Sequence, residues 1–462
     1  MAAQKEDNAL TQYLQLYDTE AAEISARSCP VLEKLRKPAL KRLRTAALPH
    51  KGTPGYEKTD INAMFAPDYG VNTRRMAWDV DLAASFRCDV PNVSTLLAVV
   101  ANDIFRPTAT LENNLPQGVT VCSLDTAARK YPELVGRYLD SIAAEPRFRH
   151  TVATDLNNLL MQDGVFIHVA PGVRPERPIQ IVNILNATVP LMAVRRVLVV
   201  VEDNAAADIL LCDHTARPGT DYLINQVTEV YLGRGASANL YDIQEADAGT
   251  SRLAENYIYM PHEGASVAFH SFGLRCGNSR SNIQVVMTAP HCTTDLGGMV
   301  ICTDEERTDI ASRVTHAAPH CDSDQMFKYV VDDDARGAFE GAIVVEHGAH
   351  HTRAYQNNRN LLASEKARMH TRPQLEIYCD DVSCSHGAAT GQLDARALFY
   401  MRSRGIPESQ ARTMLIQAFM MDVVDKISLD GLNSRMRHLV ERRLSGESAT
   451  CAGCNTENLN CK

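Results

Sequence analysis

The spacing of apolar positions changes twice along the chain. In ALTQYLQLYDTEAAEISA, Leu10, Tyr13, Leu14 and Tyr17 recur at three- and four-residue steps, which predicts an amphipathic helix. A second helical stretch follows in VLEKLRKPALKRLRTAAL, interrupted by Pro38 and closed by Pro49, because proline lacks the N–H that a helix interior needs. The segment from Thr126 to about Leu160 is again helix-like, with turns near Pro132 and Pro146. From about Val165 to Tyr378 the texture is different. Short runs rich in Val, Ile and Tyr (VFIHVA, IQIVNIL, VRRVLVVVED, ADILLC, NQVTEVYLG, ENYIYM) alternate with polar turns, as strands do. No amphipathic segment of helical length separates them, which argues against a βαβ winding.

Aligning the turns reveals a repeat. EDNAAADI, GRGASANL, HEGASVAF, APHCTTDL, DDDARGAF, EHGAHHTR and SEKARMHT each place a small residue just before a strand. Those residues are Ala205, Ala236, Ala265, Cys292, Ala335, Ala349 and Ala367, and Cys321 fits the same register. With Cys321 included, successive gaps are 31, 29, 27, 29, 14, 14 and 18, clustering near one unit of about 14 to 15 residues or its double. Such a repeat implies stacked half-turns, each needing a neighbour above and below to bury its apolar face. A flattened β-solenoid with two facing sheets follows. The competing architecture, an antiparallel sandwich, calls for Asn-Gly or Asp-Gly hairpins, and this stretch contains neither.

Helical spacing returns after Gly391. Asp394 is placed to cap ARALFYMRSRG, and Gly405 ends it. IPESQARTMLIQAFMMDVVDKI follows, with Pro407 and Glu408 in its first turn and Met414, Leu415, Ala418, Met421 and Val424 at helical steps. A third helix is predicted over about Leu432 to Leu444, with a basic face carrying Arg435, Arg437, Arg442 and Arg443. The apolar surface of these helices exceeds what a hairpin hides in itself, so it must dock on the solenoid or on a partner. The predicted domains are a mostly helical 1–160, a β core over 161–391, a helical 392–445 and a cysteine-containing tail over 446–462.

Composition narrows the function class. The chain has 462 residues, 45% apolar and 22% charged, with a formal charge of −9. A long basic track for nucleic acid is not expected. The polar start MAAQKEDNALTQYLQLYD has no signal-like apolar core, and no run approaches the ~18 apolar residues of a membrane span. A cytoplasmic location is expected, and with it thirteen reduced cysteines, mostly packed as small hydrophobes. The chain contains no G-x-x-x-x-G-K-[ST], no G-x-S-x-G and no G-x-G-x-x-G between strand and helix, so it is not expected to bind ATP itself.

Candidate chemistry concentrates in QLEIYCDDVSCSHG, residues 374–387. Cys384 and His386 are two apart, so on an extended chain both project to one face, and thiolate and imidazole are good iron ligands. Two ligands make an incomplete site, to be finished by a partner chain or by sulfide. The alternative is a packed Cys384 beside a His386 that hydrogen-bonds a turn. Cys379 is expected in the core, on one face of a strand with Ile377 and Asp381. Asp380 and Asp381 either orient the imidazole or cap backbone N–H groups. His347, His350 and His351 in EHGAHH form a histidine cluster on a repeat corner, where polar side chains are expected in any case. Cys451, Cys454 and Cys461 give the tail a chelating pair without a second set, either a thiol arm or a disordered end.

TRPQLEIYCDDVSCSHGAATGQLDARALFYMRSRGI closely resembles the junction between core and C-terminal domain in the SufB/SufD family of scaffold subunits of the SUF iron–sulfur cluster assembly machine. LPHKGTPGYEKTDINAMF, with Tyr56, Glu57, Lys58, Thr59 and Asp60, is similar to that family's N-terminal segment. Cys384-Ser385-His386-Gly387-Ala388 followed by Gly391-Gln392-Leu393 is similar to the SufD type rather than to SufB. The resemblance implies a right-handed parallel β-helix between two helical domains. It implies a SufB-like partner and a SufC-like ABC ATPase, one copy docking on the apolar helices over 394–427. It implies a non-catalytic scaffold, with the transient iron–sulfur cluster or iron shared at the interface by His386 and Cys384. A homodimer outside the complex and a reduced flavin within it also belong to this picture, although no residue here places the flavin. Two other readings stand beside it: a β-solenoid enzyme acting on polysaccharide, and a purely structural partner that ligates no metal.

Overall fold

The computed structural model describes residues 8–76, 78 and 95–444. Its centre is a parallel β-solenoid of about eight turns, each turn giving one strand to each of two ten-stranded sheets. In the first sheet, Leu191–Val201, Tyr222–Leu232, Thr250–Met260, Asn278–Met287, Arg307–His316, Arg336–Val345 and Arg368–Ile377 stack in order. In the second sheet, Ala206–Thr215, Ser237–Glu245, Ser266–Arg275, Thr293–Cys302, Asp322–Val331, Thr352–Leu362 and Val382–Gln392 do the same. The fold expected from the repeat is therefore the one observed.

The corners explain the spacing. Ala205, Ala236, Ala265, Cys292 and Cys321 form one column where the chain passes from the first sheet to the second; Thr352 continues it in register, Ala349 lies three residues earlier at the same corner, and all are fully buried. The residue before each, from Asn204 through Gly235, Gly264, His291 and His320 to Gly348, has a left-handed backbone. That conformation turns the chain, and the small residue then tucks beneath the next rung without a clash. Ala335 and Ala367 precede first-sheet strands and so sit at the opposite corner. The 14-residue steps are thus half-turns, and one full turn is close to 29 residues.

Gly277 shows how tight the opposite corner is. A Cβ placed there would lie 1.9 Å from the carbonyl oxygen of Ala248 on the preceding rung. Gly277→Ala is expected to cost about 1–3 kcal/mol, the range for overpacking a site that cannot yield. Urea unfolding with an unchanged m-value would measure it.

Both faces of the early strands are covered, which is why they read as continuous apolar runs. Every residue of Leu191–Val201 is buried. Val197, Val199 and Val201 face the lumen with Ile209, Leu211 and Leu240. Leu198 and Val200 face outward beneath Tyr13, Leu32, Leu156 and Leu159 of the N-terminal helices Leu10–Arg27, Pro30–Leu43 and Val152–Leu160. On the other side of the molecule, Ile416, Met420, Val423, Leu432, Met436 and Val440 pack on Leu210, Tyr241, Phe272, Met299 and Val330 of the second sheet. The helices Glu408–Val424 and Asp430–Leu444 therefore bury their apolar faces on the protein's own core.

Several expectations change in detail. The helix Pro30–Leu43 continues through Pro38 instead of breaking there, because Leu32, Arg36, Ala39 and Leu43 anchor it on both sides of the lost hydrogen bond. Strands already occur within the region expected to be helical: Leu96–Ala101, Ile104–Pro107 and Val119–Ser123 extend the two sheets. The tail over 446–462, with Cys451, Cys454 and Cys461, lies outside the described residues. The nine described cysteines are all free thiols. Among the described residues, no helix is long and apolar enough to cross a membrane.

Candidate functional site

The last rung is built from residues that would not form a strand by themselves. Val382–Gln392, VSCSHGAATGQ, is rich in Gly, Ala and Ser, which are poor strand formers. It is extended because it pairs with Thr352–Leu362 over eleven in-register positions. Its companion Arg368–Ile377 contains Pro373, a residue confined to sheet edges. Among the described residues, each of these strands is the edge of its sheet, with no further strand above it. All residues from Ser385 to Gln392 are exposed, and Cβ atoms added at Gly387 or Gly391 would meet nothing within 4 Å. Nearby Ile377 and Tyr378 are 41% and 54% exposed, a large apolar surface left uncovered at this end.

Cys384 and His386 stand on this edge on one face of the strand. Their partners in the rung below are Ala354 and Gln356, both buried in the lumen. Cys384 is half-buried against Leu375, Val382 and Ala354, and burial raises its thiol pKa. His386 is exposed and makes no hydrogen bond or ion pair to any described residue. Beneath it runs a polar column: Gln356 Nε2 donates to Gln325 Oε1 at 3.3 Å, and Ser312 Oγ donates to the same oxygen at 2.8 Å. Gln356 Oε1 itself has no partner.

The neighbouring candidates go elsewhere. Cys379 lies at the corner rather than on a strand, in the register of Ala349, with its Sγ 3.3 Å from His350 Nδ1. It is buried, as core packing requires. Asp381 does not orient His386; it pairs with His351 at 2.9 Å. His351 stacks on His320 at 4.7 Å, and His320 on His291 at 5.1 Å, so exposed imidazoles climb the corner column. His347 rests against Tyr378. The histidines of EHGAHH thus face three different neighbours. Among the described residues, no three His, Cys, Asp or Glu side chains converge as a metal cage. Cys384 and His386 are therefore two donors at an open edge and not a closed site.

Two further surfaces frame this end. The helix Ala395–Ser403 is capped by Asp394, whose carboxylate accepts from the N–H groups of Arg396 and Ala397. It buries no residue: Phe399 is 73% and Tyr400 58% exposed, and Met414 of the next helix is 43% exposed. The apolar surface predicted for the C-terminal helices is therefore divided, one part packed on the solenoid and one part free.

The lumen also holds a charge network that sequence reasoning missed. Arg195 Nη1 lies 2.7 Å from Asp213 Oδ1, Arg252 Nε 2.8 Å from Asp213 Oδ2, and Arg252 Nη2 2.7 Å from Asp242 Oδ1. Burial alone would raise the Asp213 pKa, but the Arg252 and Arg195 charges prevail and hold it low. Burial prevails at Asp242, whose pKa is raised despite Arg252. The available signal was the charged residues inside apolar runs, Arg195 in VRRVLVVVED and Asp213 after ADILLC.

Architecture and site together define a two-sheet parallel β-solenoid with helical layers on opposite faces and a final rung, open among the described residues, carrying a thiol and an imidazole. Comparison with known proteins agrees. Residues 7–181 match the model of the SufBD protein N-terminal region, and residues 183–419 match that of the SUF system FeS cluster assembly SufBD core domain. The chain belongs to the SufBD family of iron–sulfur cluster assembly proteins. It is 31% identical over 435 residues to a SufBD family protein of Synechocystis, covering 92% of this chain and 94% of that one. It is 31% identical to the SufD protein of Escherichia coli over 66% of this chain and 71% of the relative. The SufD protein of Bacillus subtilis is 26% identical over 71% of this chain and 74% of its own length.

Proposed function

We propose that this chain is the SufD-type scaffold of a cytoplasmic SUF complex. Its last rung joins a SufB-like subunit, and Cys384 and His386 supply part of the ligand set for a nascent iron–sulfur cluster shared across that junction. The helix surface at Phe399, Tyr400 and Met414 receives a SufC-like ATPase, whose movement is relayed through the scaffold while this chain performs no chemistry of its own. The observation that carries this reading is the uncovered edge. Two strand edges with unpaired N–H and C=O groups form a template for pairing with another chain. His386, with no partner of its own, sits on that edge. Imidazole and thiolate are incomplete as a closed site, which suits a cluster that must later leave.

Co-expression with SufB-like and SufC-like subunits, followed by anaerobic reconstitution and absorption spectroscopy, tests the reading. His386→Ala is expected to leave the complex assembled and to lower cluster occupancy at least fivefold, with Cys384→Ala lowering it less. Unchanged occupancy in both variants would remove the ligand role. Phe399→Asp combined with Tyr400→Asp is expected to release the ATPase while the sister subunit stays bound. Retention of the ATPase by that variant would place its dock elsewhere.

A further inference from the structure

The last three strands of the first sheet, Arg307–His316, Arg336–Val345 and Arg368–Ile377, each begin with arginine. The register sets Arg307 opposite Arg336, and Arg336 opposite Arg368. Successive guanidinium groups thus start from backbones about 4.8 Å apart. Like charges directly opposite each other weaken a ladder unless something compensates them. Among the described residues, none of the three pairs with a carboxylate; Arg368 donates only to the backbone oxygens of Glu365 and Ala367.

These arginines line a groove of about 300 Å3. Lys51 and Lys58, from the segment anchored by the Thr59–Asp309 hydrogen bond, line it too and also have no carboxylate partner among the described residues. His370 completes the rim. The one carboxylate in the lining, Asp309, is already engaged by Arg280 and Thr59. Of the acidic corner residues that precede the three arginines, Glu306 pairs with Arg443 and Asp334 with Lys366; none of these corner carboxylates lines the groove. The His370 pKa is lowered, by burial first and then by the Lys58 and Arg372 charges, against Asp309 and Glu57. Five uncompensated cations in one groove stand out in a chain of formal charge −9.

We propose that this groove binds a small molecule bearing two or more adjacent phosphate groups. Guanidinium groups one rung apart can each fork onto an oxyanion of neighbouring phosphates, and the lysines add compact charges from the opposite wall. The volume is at the lower end of ligand pockets, which fits a small anion and leaves no track for nucleic acid. The groove takes Arg368 and His370 from the edge strand Arg368–Ile377 but includes neither Cys384 nor His386, and the proposal does not depend on the scaffold reading.

Calorimetric titration of the full chain with inorganic pyrophosphate and tripolyphosphate tests it, with citrate at matched ionic strength as the carboxylate arm. One saturable site per chain is expected, with citrate at least tenfold weaker. Arg336→Glu should weaken pyrophosphate at least tenfold with an unchanged circular dichroism spectrum. Lys58→Ala, on the crossing segment, should weaken it severalfold and serves if the sheet variant fails to fold. Without ligand, Arg336→Gln should melt above the parent chain, since it relieves the ladder repulsion. Absence of saturable pyrophosphate binding, equal affinity in the variants, or citrate binding as tightly as pyrophosphate would each overturn the proposal.

Discussion

Asp213→Ala is expected to cost about 3–5 kcal/mol of folding stability, the range for breaking a buried ion pair from one side. Asp213 is 2% exposed and is the shared acceptor of Arg195 and Arg252, with Asn183 donating to it as well at 3.0 Å. Removing it leaves two guanidinium groups inside the coil with only Asn102 O, Asp242 and Ser281 as remaining acceptors. Urea unfolding at neutral pH reads the loss directly. A loss below about 1 kcal/mol would mean that water reaches the lumen and solvates these groups. Replacing Arg195, Asp213, Asp242 and Arg252 together by apolar residues of similar volume should recover most of the stability, because a buried ion network is costly to break yet contributes little net energy when intact.

The second large effect is a pH slope. Glu255 is fully buried, with Oε1 accepting from Thr151 and Asn282 and Oε2 unpartnered. Burial pushes its pKa from the usual 4.5 up to about 7, against the opposing hydrogen bonds of Asn282 and Thr151. The folded state therefore holds this proton more tightly than the unfolded chain does. Its contribution is complete below about pH 4.5 and is lost as pH rises through about 7. At 1.36 kcal/mol per pH unit the loss amounts to about 3 kcal/mol. Glu255→Gln cannot titrate, so its stability should fall less between pH 5 and pH 8.5 than that of the parent, by up to this amount. The slope is the readout, since any cost of fitting the amide is the same at every pH. Glu245 and Asp103, also raised to about 7, act in the same direction in both proteins and cancel in the comparison. Parallel stability curves for the two proteins would show that Glu255 is ionised inside the fold.

The coil was legible because its signal is local and repeated. A left-handed residue followed by a small one marks the corners at Ala205, Ala236, Ala265, Cys292, Cys321 and Ala349, and the interval between the first five is set by chain length around the turn. The position of Cys384 and His386 on one face was legible for the same reason, since alternation along an extended chain needs no tertiary information. What stayed hidden depends on which rung faces which. Arg307, Arg336 and Arg368 look like three unrelated surface arginines until the register stacks them. Arg195 and Asp213 look like solvent-facing charges until both turn out to point into the lumen. Asp381 is close to His386 in sequence, yet it turns the corner the other way to meet His351. Pro38 misled because the helix-breaking penalty is a local quantity, whereas burial of Leu32, Arg36 and Leu43 acts over the whole helix. The strands Leu96–Ala101 and Val119–Ser123 were overlooked for a related reason: each is short and lies among helices, so its periodicity spans too few residues to register.

The bare top of the stack has a consequence that grows with concentration. A coil that ends without a blunt cap can add rungs from any molecule that offers a matching strand, including another copy of itself. Chains whose last rung stays open are therefore prone to head-to-head joining or to clearance by proteases, the more so the higher their concentration.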